Sequence, residues 1–294
     1  MIALRATPPR FLGGLDLCRE GVSQPRRQRG CARPALRGRR QGGEWKDAAH
    51  DLPRTLFTPR VAKHRVFVWV TGSTLPDSAV VGFARSDEYF FGVLQSRVHE
   101  VWALRMDTRL ETRPRYTPTT CFETFPFPWS PGHEPVGPAR RAGVSGSASG
   151  DARPAVAPHT GPAGDERVRA IAEAAKELDE LRSNWLNPPE WVREEVLEFP
   201  GSVDGPWARY VHDPDARGIG TVRYPRLVPR DAECAANLKA RTLTNLYNQR
   251  PTWLALAHEK LDAAVFAAYG WDPSMSDDHL LESMLALNLE RSSG

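Results

Sequence analysis

Apolar residues recur with a regular spacing from about residue 56 onward, and the spacing predicts the first ordered elements. Alternating β-branched and aromatic residues in VAKHRVFVWV (61–70) predict a strand. Turn-forming residues follow it, and residues 78–84 predict a second, shorter strand. From Ser86, which can cap a helix, the spacing changes to three or four residues and predicts one helix that ends at Met106. Its apolar face would consist of Phe90, Leu94, Val98 and Val101.

Three later segments also have helical spacing. Residues 165–185 predict a strongly amphipathic helix, and Pro251 suits the first turn of a helix that runs to Tyr269 and stops at Gly270. Ser276 can cap a last helix. The stretch 186–234 is rich in proline and tryptophan and is expected to be irregular. The apolar faces are Val168, Ile171, Ala175, Leu178, Leu181 and Trp185 in the first helix, and Leu280, Met284, Leu285 and Asn288 in the last.

These patterns predict an α+β fold with four segments. Residues 1–55 are Arg-rich and show neither the strand spacing nor the helix spacing of apolar residues, so they are expected to be disordered. Residues 56–129 would form a small unit with a few strands and a helix. Residues 130–164, rich in Pro, Gly, Ala and Ser, would form a linker. Residues 165–294 would form a mainly helical region.

Composition narrows the class of protein. Of 294 residues 40% are apolar, and no run reaches the roughly 18 apolar residues of a membrane span, so no membrane association is expected. The four cysteines form no CxxC pair, which favours neither a zinc site nor a disulfide framework and predicts a reducing cytoplasm. They are Cys18, Cys31, Cys121 and Cys234.

The net charge of +3 is unevenly distributed. Residues 1–50 hold 11 basic against 4 acidic residues, and residues 165–294 hold 15 against 22. A basic arm could grip phosphates. However, arginine outnumbers lysine 34 to 5 in the whole chain, which points to a GC-rich genome, where a wrong reading frame also yields Arg, Gly and Pro. We therefore favour compositional bias over a DNA-gripping arm.

No motif in the chain predicts catalysis. A glycine-rich loop after a strand, which would hold a nucleotide or S-adenosylmethionine, is absent from the sequence. Asn187-Pro188-Pro189-Glu190 resembles the Asn-Pro-Pro-aromatic loop of DNA amino-methyltransferases, but glutamate cannot stack on a flipped base, so a helix stop is favoured. His258-Glu259 lacks the second histidine of a zinc motif because position 262 is Asp. We predict no catalytic, cofactor-binding or metal-binding residues.

A binding constellation remains. Basic residues lie at the start of the first predicted strand and around a loop that is rich in hydroxyl groups. Arginine can fork onto guanine edges or phosphates, and hydroxyl groups reach phosphates, so this composition suits a DNA groove. An ordinary solvated loop is the alternative. The candidate DNA-binding residues are Lys63, Arg65, Arg109, Arg113, Arg115, Tyr116 and Thr119.

Two stretches resemble MmeI-like restriction-modification methyltransferases. FGVLQSRVHEVW (91–102) and RYTPTTCFETFP (115–126) resemble the target-recognition domain of that family, and residues 242–291 are similar to its C-terminal helices. The resemblance covers residues 56–129 and 165–294. It implies that 56–129 is a partial target-recognition domain whose partner is double-stranded DNA.

In that family, a separate methyltransferase domain binds S-adenosylmethionine and methylates adenine. This chain resembles only the later parts, so the resemblance implies a fragment without its own cofactor, truncated or frameshifted from a longer gene. One alternative is a specificity subunit that acts in trans with a methyltransferase chain encoded upstream. The others are a DNA-independent helical interaction module and an inert gene remnant.

Overall fold

The first sheet is small and antiparallel. The computed structural model describes residues 45, 48–49, 52–71, 74–107, 114–135, 162–205 and 207–293. Strand β1 (Arg54–Pro59) lies between β2 (Val68–Thr71) and β3 (Val80–Phe83). Leu56 on β1 is paired with Trp69 on one side and Phe83 on the other. The sheet therefore presents a continuous apolar face to the core.

The strand predicted over 61–70 is mostly wrong, while the one predicted over 78–84 is confirmed as β3. The side chain of Gln95 takes the place of a neighbouring strand: its Oε1 accepts from Phe67 N at 2.9 Å, and its Nε2 donates to Arg65 O at 3.3 Å. Only the last residues of the predicted strand join the sheet. Strand β1 itself was not predicted.

Two helices replace the single one predicted over 86–106. Helix α1 (Glu88–Gln95) is capped by Asp87 rather than Ser86, and α2 (Arg97–Met106) follows an extended residue, Ser96. The break leaves the first N–H groups of α2 without helical partners. Asp262, distant in sequence, accepts from Arg97 N at 2.7 Å. A tertiary contact thus stabilises an end that local spacing does not reveal.

The next element is the long helix α3 (Pro162–Leu186), which confirms the predicted amphipathic helix. It crosses α1 closely at Gly92. A Cβ on Gly92 would lie 2.7 Å from Ile171 Cγ2 and 2.9 Å from Ala175 Cβ, so no larger residue fits there without displacement. Close packing of these two helices joins the first unit to the C-terminal region.

A β-ribbon occupies most of the stretch expected to be irregular, so that expectation is wrong. Strands β4 (Val192–Ser202) and β6 (Ile219–Pro229) pair antiparallel over their whole length, and β5 (Val211–His212) adds a short third strand. The prolines that obscured the pattern are tolerated because a strand edge needs no ladder donor. Pro200 lies on the edge strand β4, and Pro225 lies beyond the short pairing with β5.

Four helices follow the ribbon: α4 (Ala232–Leu238), α5 (Leu243–Gln249), α6 (Thr252–Tyr269) and α7 (Asp277–Ser293). Gly270 ends α6 in a left-handed conformation, and Ser276 Oγ accepts from His279 N, so both predicted helices are confirmed with their caps. Leu280 and Met284 are buried as predicted, whereas Leu285 is exposed. None of the described helices is long and apolar enough to cross a membrane.

One core joins the small sheet to the C-terminal helices. It contains aromatic residues from residues 56–127 and aliphatic residues from α3, α6 and α7 in a single cluster. The side chain of Arg182 on α3 crosses this core and donates to Phe67 O at 2.9 Å and Gln95 Oε1 at 3.2 Å. The two segments therefore pack as one unit, although the sequence patterns separate them.

The segment predicted to be disordered over 1–55 has a packed end. Trp45 is buried, its ring lies 5.6 Å from that of Phe57, and its Nε1 donates to Thr74 O at 3.1 Å. Residues 1–44 lie outside the described residues, as do 136–161 of the predicted linker. For those ranges the expectation stays a prediction.

Candidate nucleic-acid interface

The fold brings the two predicted basic segments side by side. Val61 and Arg115 form an isolated antiparallel bridge, and Tyr116 N donates to Arg60 O at 2.7 Å. The segment 60–65 and the segment 114–120 therefore form one edge of the molecule. Arg109 and Arg113 lie outside the described residues.

Arg65 is a structural residue at this edge and not a surface contact. Its side chain is buried, donates to Thr58 Oγ1 at 3.2 Å, Pro59 O and Pro114 O, and lies 4.9 Å from the ring of Tyr116. Burial lowers the pKa of the guanidinium. The structure thus places the Arg65 side chain inside the protein and not at the surface expected of a DNA contact.

Tyr116 is also turned inward. It is 1% exposed, its hydroxyl pairs with His99 Nε2 at 3.1 Å, and its ring packs against Phe67 and Phe83. His99 Nδ1 lies 2.9 Å from Leu94 O, so Nδ1 donates there and Nε2 accepts from Tyr116. Burial lowers the pKa of His99 to about 3 and raises that of Tyr116. The structure thus places Tyr116 in the core beneath the loop and not at the surface expected of a DNA contact.

Lys63, in contrast, lies on the surface with His64 beside it. Lys63 Nζ is 2.6 Å and His64 Nε2 is 2.9 Å from Asn248 Oδ1 at the end of α5. Arg115 and Thr119 are half-buried. The candidates that remain available for contact among the described residues are thus Lys63, Arg115 and Thr119.

The threonine-rich loop is a tight turn with a buried underside. Residues Pro118–Phe122 form one π-helical turn, in which Glu123 N donates to Pro118 O at 2.9 Å. Cys121 and Phe122 are buried in the core, and the Phe122 ring lies 4.9 Å from that of Phe83. Burial raises the pKa of the Cys121 thiol. The turn presents Thr119 and Thr120 outward on a rigid base.

Sequence reasoning missed the contribution of α5 to this edge. Asn248 is exposed and accepts from Lys63 Nζ, from which it lies 185 positions away along the chain. The exposed Arg250 follows it at the end of α5. No local pattern marks them, since only the tertiary contacts of α5 with Lys63 and His64 bring them there.

The two motifs set aside from sequence are structural. Helix α3 ends at Leu186, and residues 187–191 turn into β4, which confirms the helix stop. Glu259 is exposed on α6, while the neighbouring His258 Nε2 lies 3.0 Å from the Tyr247 hydroxyl, and burial lowers its pKa to about 4. Within the described ranges, no three His, Cys, Asp or Glu residues lie close enough together to hold a metal ion.

Comparison with known proteins identifies the segment that forms this edge. Residues 53–129 match the family described as "MmeI, target recognition domain". No curated protein matches the chain. A solved structure of the type IIL restriction-modification enzyme MmeI in complex with DNA aligns with 83% of this chain at 18% identity and a TM-score of 0.48. The alignment covers 22% of that protein, so this chain spans only a small part of its length.

Proposed function

We propose that this chain recognises a sequence in duplex DNA as the recognition part of a restriction-modification system. The observation that carries the proposal is the match of residues 53–129 to the MmeI target recognition domain. Those residues include β1–β3, α1, α2 and the turn at Pro118–Phe122. The DNA-contacting edge would lie where the two basic segments of this domain meet.

The geometry of that edge supports the proposal. Lys63 is exposed, Arg115 is half-exposed, and both lie near the backbone bridge between Val61 and Arg115. Cationic side chains position a protein on the phosphates, and hydroxyl groups such as that of Thr119 also reach phosphate oxygens. Arg65 and Tyr116 belong to the same edge as internal supports that hold the contacting residues in place.

We further propose that the activity directed to the recognised site belongs to another unit. MmeI is a restriction-modification enzyme, and this chain covers 22% of it. A methyltransferase unit, joined upstream or encoded separately, would hold S-adenosylmethionine and act on the sequence that this chain selects. The chain would then work as a fragment or as a specificity subunit in trans.

The salt dependence of DNA binding tests the proposed edge. Replacing Lys63 and Arg115 together with alanine should weaken binding to a mixed-sequence duplex and flatten the slope of log affinity against log salt. Each phosphate contact adds about 0.9 to that slope because it releases a condensed counterion, so the expected change is about two. Fluorescence anisotropy at several salt concentrations measures it.

A double variant on the β-ribbon is the matched control. Arg223 and Arg226 are exposed, pair with Glu198 and Glu195, and carry the same charge as the two site residues. Replacing both with alanine should change the slope by no more than about half of the change that one phosphate contact makes. An equal flattening by both double variants would contradict the proposed edge, and no DNA binding by the parent chain would favour a DNA-independent helical module.

A further inference from the structure

Helix α5 adjoins the basic edge through a shared hydrogen-bond acceptor. Asn248 Oδ1 accepts from Lys63 Nζ at 2.6 Å and from His64 Nε2 at 2.9 Å. The ring of Tyr247 lies 5.8 Å from that of His64. The last turn of α5 and the segment 60–65 therefore form one continuous surface, although α5 lies outside the matched recognition domain.

The amide of Asn248 presents a hydrogen-bond donor outward. Its oxygen is held by two donors, whereas no described residue pairs with its Nδ2, and the residue is exposed. An amide nitrogen held in this way can donate to the N7 or O6 of guanine, the N7 of adenine or the O4 of thymine. Lys63 and His64 thus fix the orientation of a group that suits a base edge.

Arg250 occupies a conformation that disfavours its own side chain. It ends α5 with φ 42° and ψ 60°, and its N–H donates to Leu246 O at 2.8 Å. Glycine is the usual residue at such a helix end, and Gly270 takes that role after α6 with φ 75°. Unfavourable backbone conformations concentrate at functional sites. The exposed guanidinium at this position therefore points to a role outside the fold.

The charges around Arg250 are mixed. Glu100 on α2 is exposed and lies within electrostatic range of Arg250 and His64, whereas the carboxylate of Asp262 is turned inward to Arg97 N. A uniformly positive surface would suit phosphates alone. The surface around Asn248 and Arg250 carries cationic, amide and carboxylate groups instead. It therefore matches the variety of donors and acceptors that base edges present in the major groove.

We propose that Asn248 and Arg250 extend the recognition surface and read base edges next to the contacts of Lys63. This inference rests on the proposed DNA recognition and adds a specificity determinant from outside the matched domain. Asn248 and Arg250 would select bases, while Lys63 and Arg115 would mainly hold phosphates.

Replacing Arg250 with glycine separates this role from a structural one. Arg250→Gly should raise the melting temperature by a few degrees, because glycine adopts the left-handed conformation without steric cost. The same variant should bind the duplex preferred by the parent chain roughly tenfold more weakly or worse, with little change on mixed-sequence duplex. Asn248→Ala should likewise reduce discrimination between the two duplexes.

The neighbouring Gln249 provides the control, since it is exposed in the same turn. Gln249→Ala should leave both affinities unchanged. The inference is overturned if Arg250→Gly and Asn248→Ala keep the parent's discrimination, or if Arg250→Gly weakens both duplexes equally, which would indicate a phosphate contact. Suppose that the parent chain discriminates between the two duplexes and that, among these variants, only Lys63→Ala weakens binding. The proposed function then stands and only this inference fails.

Discussion

Replacing Arg182 with methionine is expected to lower the free energy of unfolding by about 3–5 kcal/mol, the range for removing one member of a buried charged network. Arg182 is 2% exposed and donates to Phe67 O, Gln95 Oε1, Asp179 Oδ1 and the Tyr247 hydroxyl. Its guanidinium also lies 5.3 Å from the ring of Phe91. Methionine fills much of the volume but removes the donor that these acceptors share.

Urea unfolding followed by tryptophan fluorescence and circular dichroism measures this loss. Arg167→Met, on the exposed face of the same helix, should change the free energy of unfolding by no more than about 0.5 kcal/mol. Because one core joins the sheet to the helices, both probes should report one transition in the parent chain. A loss below about 1 kcal/mol for Arg182→Met would mean that the network contributes little.

The second large effect is acid sensitivity between pH 7.5 and pH 5. The pKa is about 3 for His99 and about 4 for His258, because both are buried, whereas an unfolded histidine has an ordinary value of 6.5. A lowered folded pKa gives stability that is present above pH 6.5 and is lost as the pH falls. Each histidine should therefore lower the free energy of unfolding by about 2 kcal/mol between pH 7.5 and pH 5.

Asp262 acts in the opposite direction. Burial raises its pKa to about 6 from 3.8, so the folded chain binds the proton at a higher pH than the unfolded chain does. This difference adds about 1 kcal/mol to the free energy of unfolding between pH 7.5 and pH 5. For these three groups together the expected loss is about 2–3 kcal/mol. Glu100, whose pKa is also raised by desolvation, should lessen it. Urea unfolding at the two pH values measures it.

Two variants locate the source of this acid sensitivity. His99→Gln should reduce the loss between pH 7.5 and 5 by about 2 kcal/mol, whatever its effect on stability at pH 7.5. Replacement of His133, which is exposed, should leave the pH dependence unchanged. An undiminished loss in His99→Gln would show that His99 is not its source.

The elements with clean periodicity were predictable from sequence, and those shaped by distant partners were not. The helix over 165–185 and the caps at Gly270 and Ser276 depend on local residues, and the structure confirms them. The break at Ser96 depends on Asp262, and the shortening of β2 depends on Gln95. The β-ribbon was hidden because its prolines, glycines and paired charges interrupt the alternation that marks a strand.

The same distinction applies to the candidate interface. Composition marked the two basic segments, but it could not show that they are neighbours in space, and it could not distinguish the buried Arg65 and Tyr116 from the exposed Lys63. Residue type does not reveal whether an arginine points to solvent or into the protein. The carbonyl groups of Pro59 and Pro114 accept hydrogen bonds from Arg65 inside the fold. Asn248 and Arg250 were missed because only tertiary packing brings α5 to this edge.

Selection from duplexes with a randomised central segment tests the central claim most directly. The full chain is incubated with the library at low salt, the bound fraction is recovered over several rounds, and the sequences are compared with the input. Sequence recognition predicts enrichment of one shared motif, and the Lys63→Ala, Arg115→Ala double variant should recover less DNA. A bound fraction with the same sequence distribution as the input would contradict sequence recognition by this chain.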